Sequence, residues 1–257
     1  MKKVNYAEIE KFIASDVVDP FYKKRIEKLK VVRMRDVMKR KNPYLFKAKN
    51  IQTAGDLVQD ILDAFLSSQE ETIFGGLLEN LAIHVNESIF KGIKAEEVKF
   101  RSLDLIFRRD NKVYVVGIKS GPSWGNADQI NTMRKNFKEA KRILKIEGET
   151  DEIIAVNGCI YGKDNVSFKK HESDSELDYL KLCGQRFWEL ITGDDDFYKR
   201  LIQPLDKEVK RQDDLFKETY VAKINEMTKD LIELFYTENK LDWNKIVEYV
   251  SKAKKET

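Results

Sequence analysis

Asp104 and Lys119 are residues whose types and spacing suit chemistry at one shared site. Asp104 lies in "KFRSLDLIFRR" and Lys119 in "KVYVVGIKS", and an Asp-Asn pair at 110–111 separates the two stretches. If this pair forms a two-residue hairpin loop, Asp104 faces Gly117 across the strands, and Lys119 is its diagonal neighbour on the same face. A glycine opposite Asp104 would leave an open space beside the carboxylate and the ammonium. A register shift of one residue would put the two charges on opposite faces.

This arrangement is typical of metal-assisted phosphodiester hydrolysis. Mg²⁺ prefers carboxylate and water oxygens, and it can polarise a phosphoryl oxygen and generate a hydroxide. Asp104 would hold the metal with the main-chain carbonyl of Ile118 as a further ligand, and Lys119 would stabilise negative charge in the transition state. The alternative is an ordinary surface ion pair, because the chain has 44 acidic and 47 basic residues.

A second carboxylate, Glu79, lies in the helical stretch "EETIFGGLLENLAIHVNESIF" before the hairpin. The apolar stripe of this helix consists of Phe74, Leu77, Leu78, Leu81 and Val85. Glu79 lies off the stripe, beside Gly75, Gly76 and Ala82. Because small residues let a helix approach another backbone closely, this face could present Glu79 to the same metal.

The elements that must position these residues change character along the chain. Residues 5–70 have mostly helical periodicity, residues from Val98 onward have the period of strands, and "RKNFKEAKRILK" (134–145) is typical of a basic helix. "DEIIAVNGCIYG" predicts another strand, and helical patterns follow to the C-terminus. The order predicts an α/β fold with a mixed β-sheet core flanked by helices and with helical N- and C-terminal extensions.

Composition limits the class of protein. A hydrophobic content of 42% supports a real core, and the absence of a long spacer or a fixed repeat favours one domain over residues 1–257. Two cysteines without a CxxC motif predict neither a disulfide framework nor a zinc finger. The N-terminus lacks a signal-peptide core, and no run of 18 apolar residues occurs, so we expect a cytoplasmic protein with no membrane partner.

Four collinear stretches resemble type II restriction endonucleases of the PmeII kind, within the PD-(D/E)xK nuclease superfamily. They are "KRKNPYLFKAKN" (39–50), "SSQEETIFGGLLENLA" (67–82), "GIKSGPSWGNADQ" (117–129) and "CGQRFWELITGDDDFYKRLIQPL" (183–205). The resemblance implies a restriction-endonuclease-like nuclease core at about residues 70–205, with extensions at 1–69 and 206–257. It also implies a Mg²⁺-dependent, sequence-specific enzyme that cuts double-stranded DNA as a homodimer. A cognate DNA methyltransferase is expected in the same restriction–modification system, but not as a bound subunit.

The chain departs from the superfamily motif at Gly117, where an Asp or Glu is expected two residues before the lysine. Three explanations are open. Glu79 replaces the missing acid from the helix, which we favour; a downstream carboxylate such as Asp128 reaches back; or the site is weak or inactive. Two alternative functions follow, a repair or recombination nuclease that cuts by DNA structure and a DNA-binding protein that has lost catalysis.

Two segments carry the predicted DNA contacts. The first is the basic cluster Lys39, Arg40, Lys41 and Asn42, which could contact phosphates or form a solvated helix end. The second is the loop that follows Lys119, with Ser120, Ser123, Trp124, Asn126 and Gln129. Amide side chains can bond adenine, serine can bond phosphate and an indole can stack, although the loop could equally be a structural turn with Trp124 packed under it.

Overall fold

The computed structural model describes residues 4–164 and 166–253. These residues divide into two compact units, one formed by 4–18 and 74–208 and the other by 19–73 and 209–253. Two long helices, α5 (Ala54–Phe90) and α9 (Ile202–Phe235), each contribute residues to both units. The prediction of one domain over residues 1–257 stays a prediction.

The first unit contains a six-stranded mixed sheet, which confirms the predicted α/β class. Its strands are β1 (Ile93–Lys94), β2 (Leu105–Arg109), β3 (Lys112–Lys119), β4 (Glu152–Cys159), β5 (Phe168–Lys169) and β6 (Tyr179–Cys183). The strand order is β1-β2-β3-β4-β6-β5. β3, β4 and β6 are parallel to one another, whereas β1, β2 and β5 pair antiparallel with their neighbours.

The β2–β3 hairpin has the predicted register. Leu105 pairs with Val116 and Arg109 pairs with Lys112, so the loop consists of residues 110–111. Both loop residues have positive φ angles, 51° and 56°, as a type I′ turn requires. Aspartate and asparagine tolerate this left-handed conformation better than most residues, which is why the pair marks the turn.

Helices complete the first unit. They are α1 (Tyr6–Phe12), a π-helix (Ile13–Val18), the C-terminal part of α5, α6 (Ala127–Ile146), a 3₁₀ turn (Ser175–Leu177), α7 (Gln185–Thr192), α8 (Phe197–Arg200) and the start of α9. α6 packs on one face of the sheet, where Phe137 is fully buried in a cluster with Val113, Val115 and Ala155. Phe90 of α5 stacks on Phe107 of β2, with ring centroids 5.8 Å apart.

α6 begins earlier than the basic stretch 134–145 indicates. Its first residue is Ala127, and Asn126 and Gln129 form a capping box in which each side chain accepts a hydrogen bond from the other's backbone N–H. Gln129 therefore lies in the first helical turn and not in the loop where the sequence suggested it.

The second unit is helical apart from a short hairpin. It contains α2 (Asp19–Val31), α3 (Met34–Met38), α4 (Pro43–Ala48), the N-terminal part of α5, the rest of α9, β7 (Tyr236–Thr237), β8 (Lys240–Leu241) and α10 (Trp243–Ser251). The Oγ of Thr53 accepts a hydrogen bond from the Asp56 N–H at 3.1 Å, so Thr53 caps the start of α5. None of the described helices is long and apolar enough to cross a membrane.

Candidate functional site

The end of the β2–β3 hairpin holds Asp104 and Lys119 together. The Asp104 N–H donates to the carbonyl of Val116 at 2.9 Å, and Oδ2 of Asp104 accepts from the Ile118 N–H at 2.6 Å. Lys119 Nζ lies 4.0 Å from the same Oδ2 and donates to the carbonyl of Ile118 at 2.9 Å. The hairpin therefore places carboxylate and ammonium side by side, as its register predicts.

Glu79 reaches the same site because α5 approaches the end of β3 closely. A Cβ added to Gly75 would overlap the hydroxyl of Ser120, the residue after Lys119, and would lie 3.5 Å from the Ser120 Cβ. Glu79 is four residues after Gly75, so the two share a helix face. The expected close approach is thus confirmed at Gly75, whereas Gly76 has no neighbour within 4 Å.

Burial and charge both act on the two carboxylates. Burial raises the pKa of Glu79, the negative charge of Asp104 raises it further, and Lys119 and Lys94 lower it by a smaller amount. Burial also raises the pKa of Asp104, and the negative charge of Glu97 adds to this rise; together they exceed the lowering by the Ile118 N–H, Lys119 and Lys94. The negative charge of Asp104 therefore acts on Glu79 in a partly dehydrated site, a condition that a bound cation would relieve.

The donor set for a metal is small. Among the residues that the structure describes, no group of three or more His, Cys, Asp or Glu side chains could hold a metal ion. Glu79, Asp104 and the Ile118 carbonyl are oxygen donors, and the carbonyl also accepts from Lys119. This set fits Mg²⁺, which keeps several of its waters and needs only one or two protein carboxylates.

Gly117 is less open than the sequence suggested. A Cβ at this position would lie 3.2 Å from the carbonyl oxygen of Ser102 and 3.8 Å from the ring of Phe137. The expected empty space opposite Asp104 is therefore bounded by a backbone carbonyl and a core aromatic ring. A side chain at residue 117 would begin with a Cβ in ordinary contact with the Phe137 ring, and the Ser102 carbonyl would have to shift by a few tenths of an ångström.

Asp128, the other candidate for the missing acid, lies in the first turn of α6 and is exposed. The charges that act most strongly on Glu79 are those of Asp104, Lys119 and Lys94. Because the charge of Asp104 acts on Glu79, we favour Glu79 over Asp128 as the second carboxylate.

The segment 120–129 after Lys119 contains the second set of predicted DNA contacts, and two of its polar side chains have hydrogen-bond partners. Asn126 and Gln129 use their side-chain oxygens in the capping box of α6. Ser120 lies against Gly75, and Ser123 is exposed. Trp124 is half-buried and packs against the buried cluster, and the Nζ of Lys119 lies 5.4 Å from its ring centroid. Their assignment as DNA contacts stays a prediction.

The basic cluster at 39–42 belongs to the second unit. Lys39 and Arg40 are exposed and Lys41 is half-buried. The Nζ of Lys39 lies 5.5 Å from the ring centroid of Tyr249, and the side chain of Asn42 caps α4 by accepting from the Tyr44 N–H at 3.0 Å. Asn42 thus has a structural task, and the role of the cluster in DNA binding stays a prediction.

Lys94 is a residue that sequence reasoning missed. It pairs with Leu105 at the sheet edge, and the next residue, Ala95, donates its N–H to the Asp104 carbonyl at 3.1 Å. Its positive charge lowers the pKa of both Glu79 and Asp104. A two-residue strand has no hydrophobic period, so only its position shortly before Asp104 could have drawn attention to Lys94.

Comparison with known protein families identifies the class to which this chain belongs. A family model described as type II restriction endonuclease EcoO109I matches residues 7–213, about four-fifths of the chain. The match gives the class of protein, a type II restriction endonuclease. The chain belongs to the type II restriction endonuclease EcoO109I family. This family model supports the class expected from the sequence but not the finer resemblance to enzymes of the PmeII kind, and no curated protein matches the chain.

Proposed function

We propose that this chain is a Mg²⁺-dependent endonuclease that hydrolyses phosphodiester bonds of double-stranded DNA at specific sequences, as part of a restriction–modification system. The observation that carries the proposal is the convergence of Glu79, Asp104 and Lys119 at one hairpin end, in a chain of the EcoO109I family. These groups have the residue types that metal-assisted phosphodiester hydrolysis requires.

Each side chain has a separate task in this proposal. Asp104 and Glu79 would hold Mg²⁺ together with the Ile118 carbonyl, and bound Mg²⁺ would supply a Lewis acid for the phosphoryl group and lower the pKa of water. The Ile118 N–H fixes the orientation of Asp104. Lys119 would stabilise the negative charge that develops on the phosphoryl oxygens, because its ammonium is held at the site by the Ile118 carbonyl.

Double-stranded DNA is the substrate that the family implies, and a homodimer is the assembly that suits a palindromic site. Each subunit would cut one strand, since a two-fold dimer matches the symmetry of such a site. A DNA methyltransferase of the same system would protect the host DNA without being a subunit of this enzyme. The PD-(D/E)xK classification belongs to this proposal too, with Glu79 in place of the acid missing at Gly117.

A second candidate is a DNA-binding protein on the same fold that does not cleave. The observation that favours it is Gly117, which leaves the site without the acid that the superfamily motif has two residues before the lysine. Metal binding by the remaining carboxylates would then be too weak for catalysis.

The test is incubation of the purified protein with unmethylated phage DNA, with Mg²⁺ or with a chelator. Lys119→Ala and Glu79→Ala are compared with two matched controls. Lys112→Ala removes the lysine at the other end of β3, which pairs with Glu152, and Glu87→Ala removes an exposed acid two turns after Glu79 on the same helix. We expect discrete Mg²⁺-dependent fragments that both site variants lose and both controls keep.

Other outcomes discriminate among the alternatives. If Lys119→Ala loses cleavage and Glu79→Ala keeps it, Glu79 is not the second metal-binding carboxylate. Asp128 would then be the next residue to substitute. Nicks or a smear in place of discrete fragments would indicate a nuclease that recognises DNA structure. Salt-sensitive DNA binding without cleavage would leave the inactive DNA-binding protein as the function.

A further inference from the structure

The ammonium of Lys119 lies near a main-chain carbonyl, a carboxylate and an aromatic ring. Its Nζ donates to the Ile118 carbonyl at 2.9 Å, lies 4.0 Å from Oδ2 of Asp104 and lies 5.4 Å from the ring centroid of Trp124. The Lys119 side chain is only 31% exposed. A cation–π contact that is partly shielded from water is stronger than one on the open surface, and tryptophan is the best aromatic partner for it.

The Trp124 ring is held in place by its own surroundings. It packs against the buried cluster under α6, and its loop is fixed at both ends. Before the ring, Lys181 of β6 donates from Nζ to the Pro122 carbonyl at 2.8 Å. After it, the capping box of Asn126 and Gln129 fixes the start of α6.

A ring held between the buried cluster and an ammonium has little surface left for a DNA base. The same ring can, however, limit where the ammonium goes. Lysine has a flexible stem and three N–H donors. The Ile118 carbonyl accepts one N–H of Lys119, and the Trp124 ring covers one side of Nζ. The remaining N–H groups can therefore point in only a limited range of directions.

We propose that Trp124 is a positioning residue for Lys119 and that it acts on the cleavage step and not on DNA binding. The inference rests on the proposed function, because it assigns Lys119 to the stabilisation of charge on the phosphoryl group. The Trp124 ring keeps the Lys119 ammonium at the site by cation–π attraction and shields it from water. Its chemical partner is the lysine of its own chain.

The experiment separates binding from cleavage on a DNA fragment that carries one mapped cleavage site. Binding of the fragment is measured with Ca²⁺ in place of Mg²⁺, and the cleavage rate constant is measured in single turnovers at saturating protein. We expect Trp124→Leu to reduce the rate constant about tenfold, the change that corresponds to about 1.4 kcal/mol. Its Kd should remain within about twofold of the wild-type value, and Trp124→Phe should lose only about threefold in rate because phenylalanine retains a weaker cation–π contact.

A matched control is present in the second unit. Trp243 lies 5.4 Å from the Nζ of Lys47, the same distance as in the Lys119–Trp124 pair. Trp243→Leu therefore removes a tryptophan and a cation–π contact without touching the site, and the rate constant should not change. An equal loss in Trp243→Leu would show that general destabilisation causes the effect and would overturn the inference.

Replacing tryptophan with fluorinated tryptophan tests the cation–π contact separately from side-chain packing. Successive fluorine atoms withdraw electron density from the ring with little change in size, so the rate constant should fall stepwise with the number of fluorine atoms. The same series in a Trp124→Phe background should be flat, although Trp188 and Trp243 still carry the label. A flat series in the wild-type protein, or a raised Kd with an unchanged rate constant, would refute the positioning role. A wild-type protein that binds but does not cleave would overturn the proposed function and this inference together.

Discussion

The contact between Gly75 and Ser120 leads to a quantitative expectation about the two glycines of α5. Alanine is about 1 kcal/mol more favourable than glycine in a helix interior. A Cβ at residue 76 meets nothing within 4 Å, so Gly76→Ala should raise the free energy of unfolding by about 1 kcal/mol. For a chain of this size, that corresponds to an increase in Tm of about 2–4 °C.

Gly75→Ala should lack this gain, because the added Cβ would overlap the Ser120 hydroxyl. The hydroxyl can rotate away at a cost of about 0.5–1.5 kcal/mol, which cancels the gain in helix propensity. The Ser120 Cβ at 3.5 Å is an ordinary contact and need not move. In a Ser120→Ala background, Gly75→Ala should therefore regain about 1 kcal/mol.

The assay is thermal and chemical unfolding of the four variants and the wild-type protein, each without metal. The double-mutant cycle isolates the interaction between residues 75 and 120. If Gly75→Ala and Gly76→Ala stabilise equally with Ser120 present, α5 does not approach the end of β3 closely. The argument that this contact brings Glu79 to Asp104 would then be refuted.

Three further expectations concern the charges of the site. Because burial and repulsion raise the pKa of Glu79, its ionised form destabilises the folded protein, so Glu79→Gln should raise the Tm of the metal-free protein at neutral pH. This gain in Tm should disappear as the pH falls below the pKa of glutamate in the unfolded chain, about 4.3. A gain in Tm that persists in acid would contradict the electrostatic origin. Mg²⁺ should raise the Tm of the wild-type protein by mass action but leave an Asp104→Asn, Glu79→Gln double variant unchanged, as a titration by calorimetry would show. Lys94→Gln should weaken DNA binding and reduce the salt slope of the affinity by about 1, since Lys94 is an exposed cation beside both carboxylates; an unchanged slope would place it outside the DNA contact.

Short sequence patterns predicted two parts of the site, the hairpin register and the close approach of α5. The Asp-Asn turn predicted the register of the hairpin, and with it the neighbourhood of Asp104 and Lys119. The small face of α5 indicated close approach, and Gly75 confirms it. These features are short-range consequences of strand and helix periods.

The parts that sequence reasoning missed depend on contacts between distant segments. Phe137, twenty residues after Gly117, bounds the space beside the glycine, since its ring would lie 3.8 Å from an added Cβ. Lys94 reaches the carboxylates through an edge strand too short to have a period. The start of α6 was misplaced for a different reason, since the Asn126 capping box was present in the sequence but the basic stretch dominated the interpretation.

The spacing of four residues between Gly75 and Glu79 makes one turn of α5 sensitive to insertions and deletions. One added or removed residue between them would rotate the carboxylate by about 100° around the helix axis, because a helix has 3.6 residues per turn. Substitutions on the exposed side of the same turn leave this phase intact. Relatives with the same site should therefore have no insertions or deletions in this turn. In a set of variants with single-residue insertions along α5, activity should fall most when the insertion lies between Gly75 and Glu79.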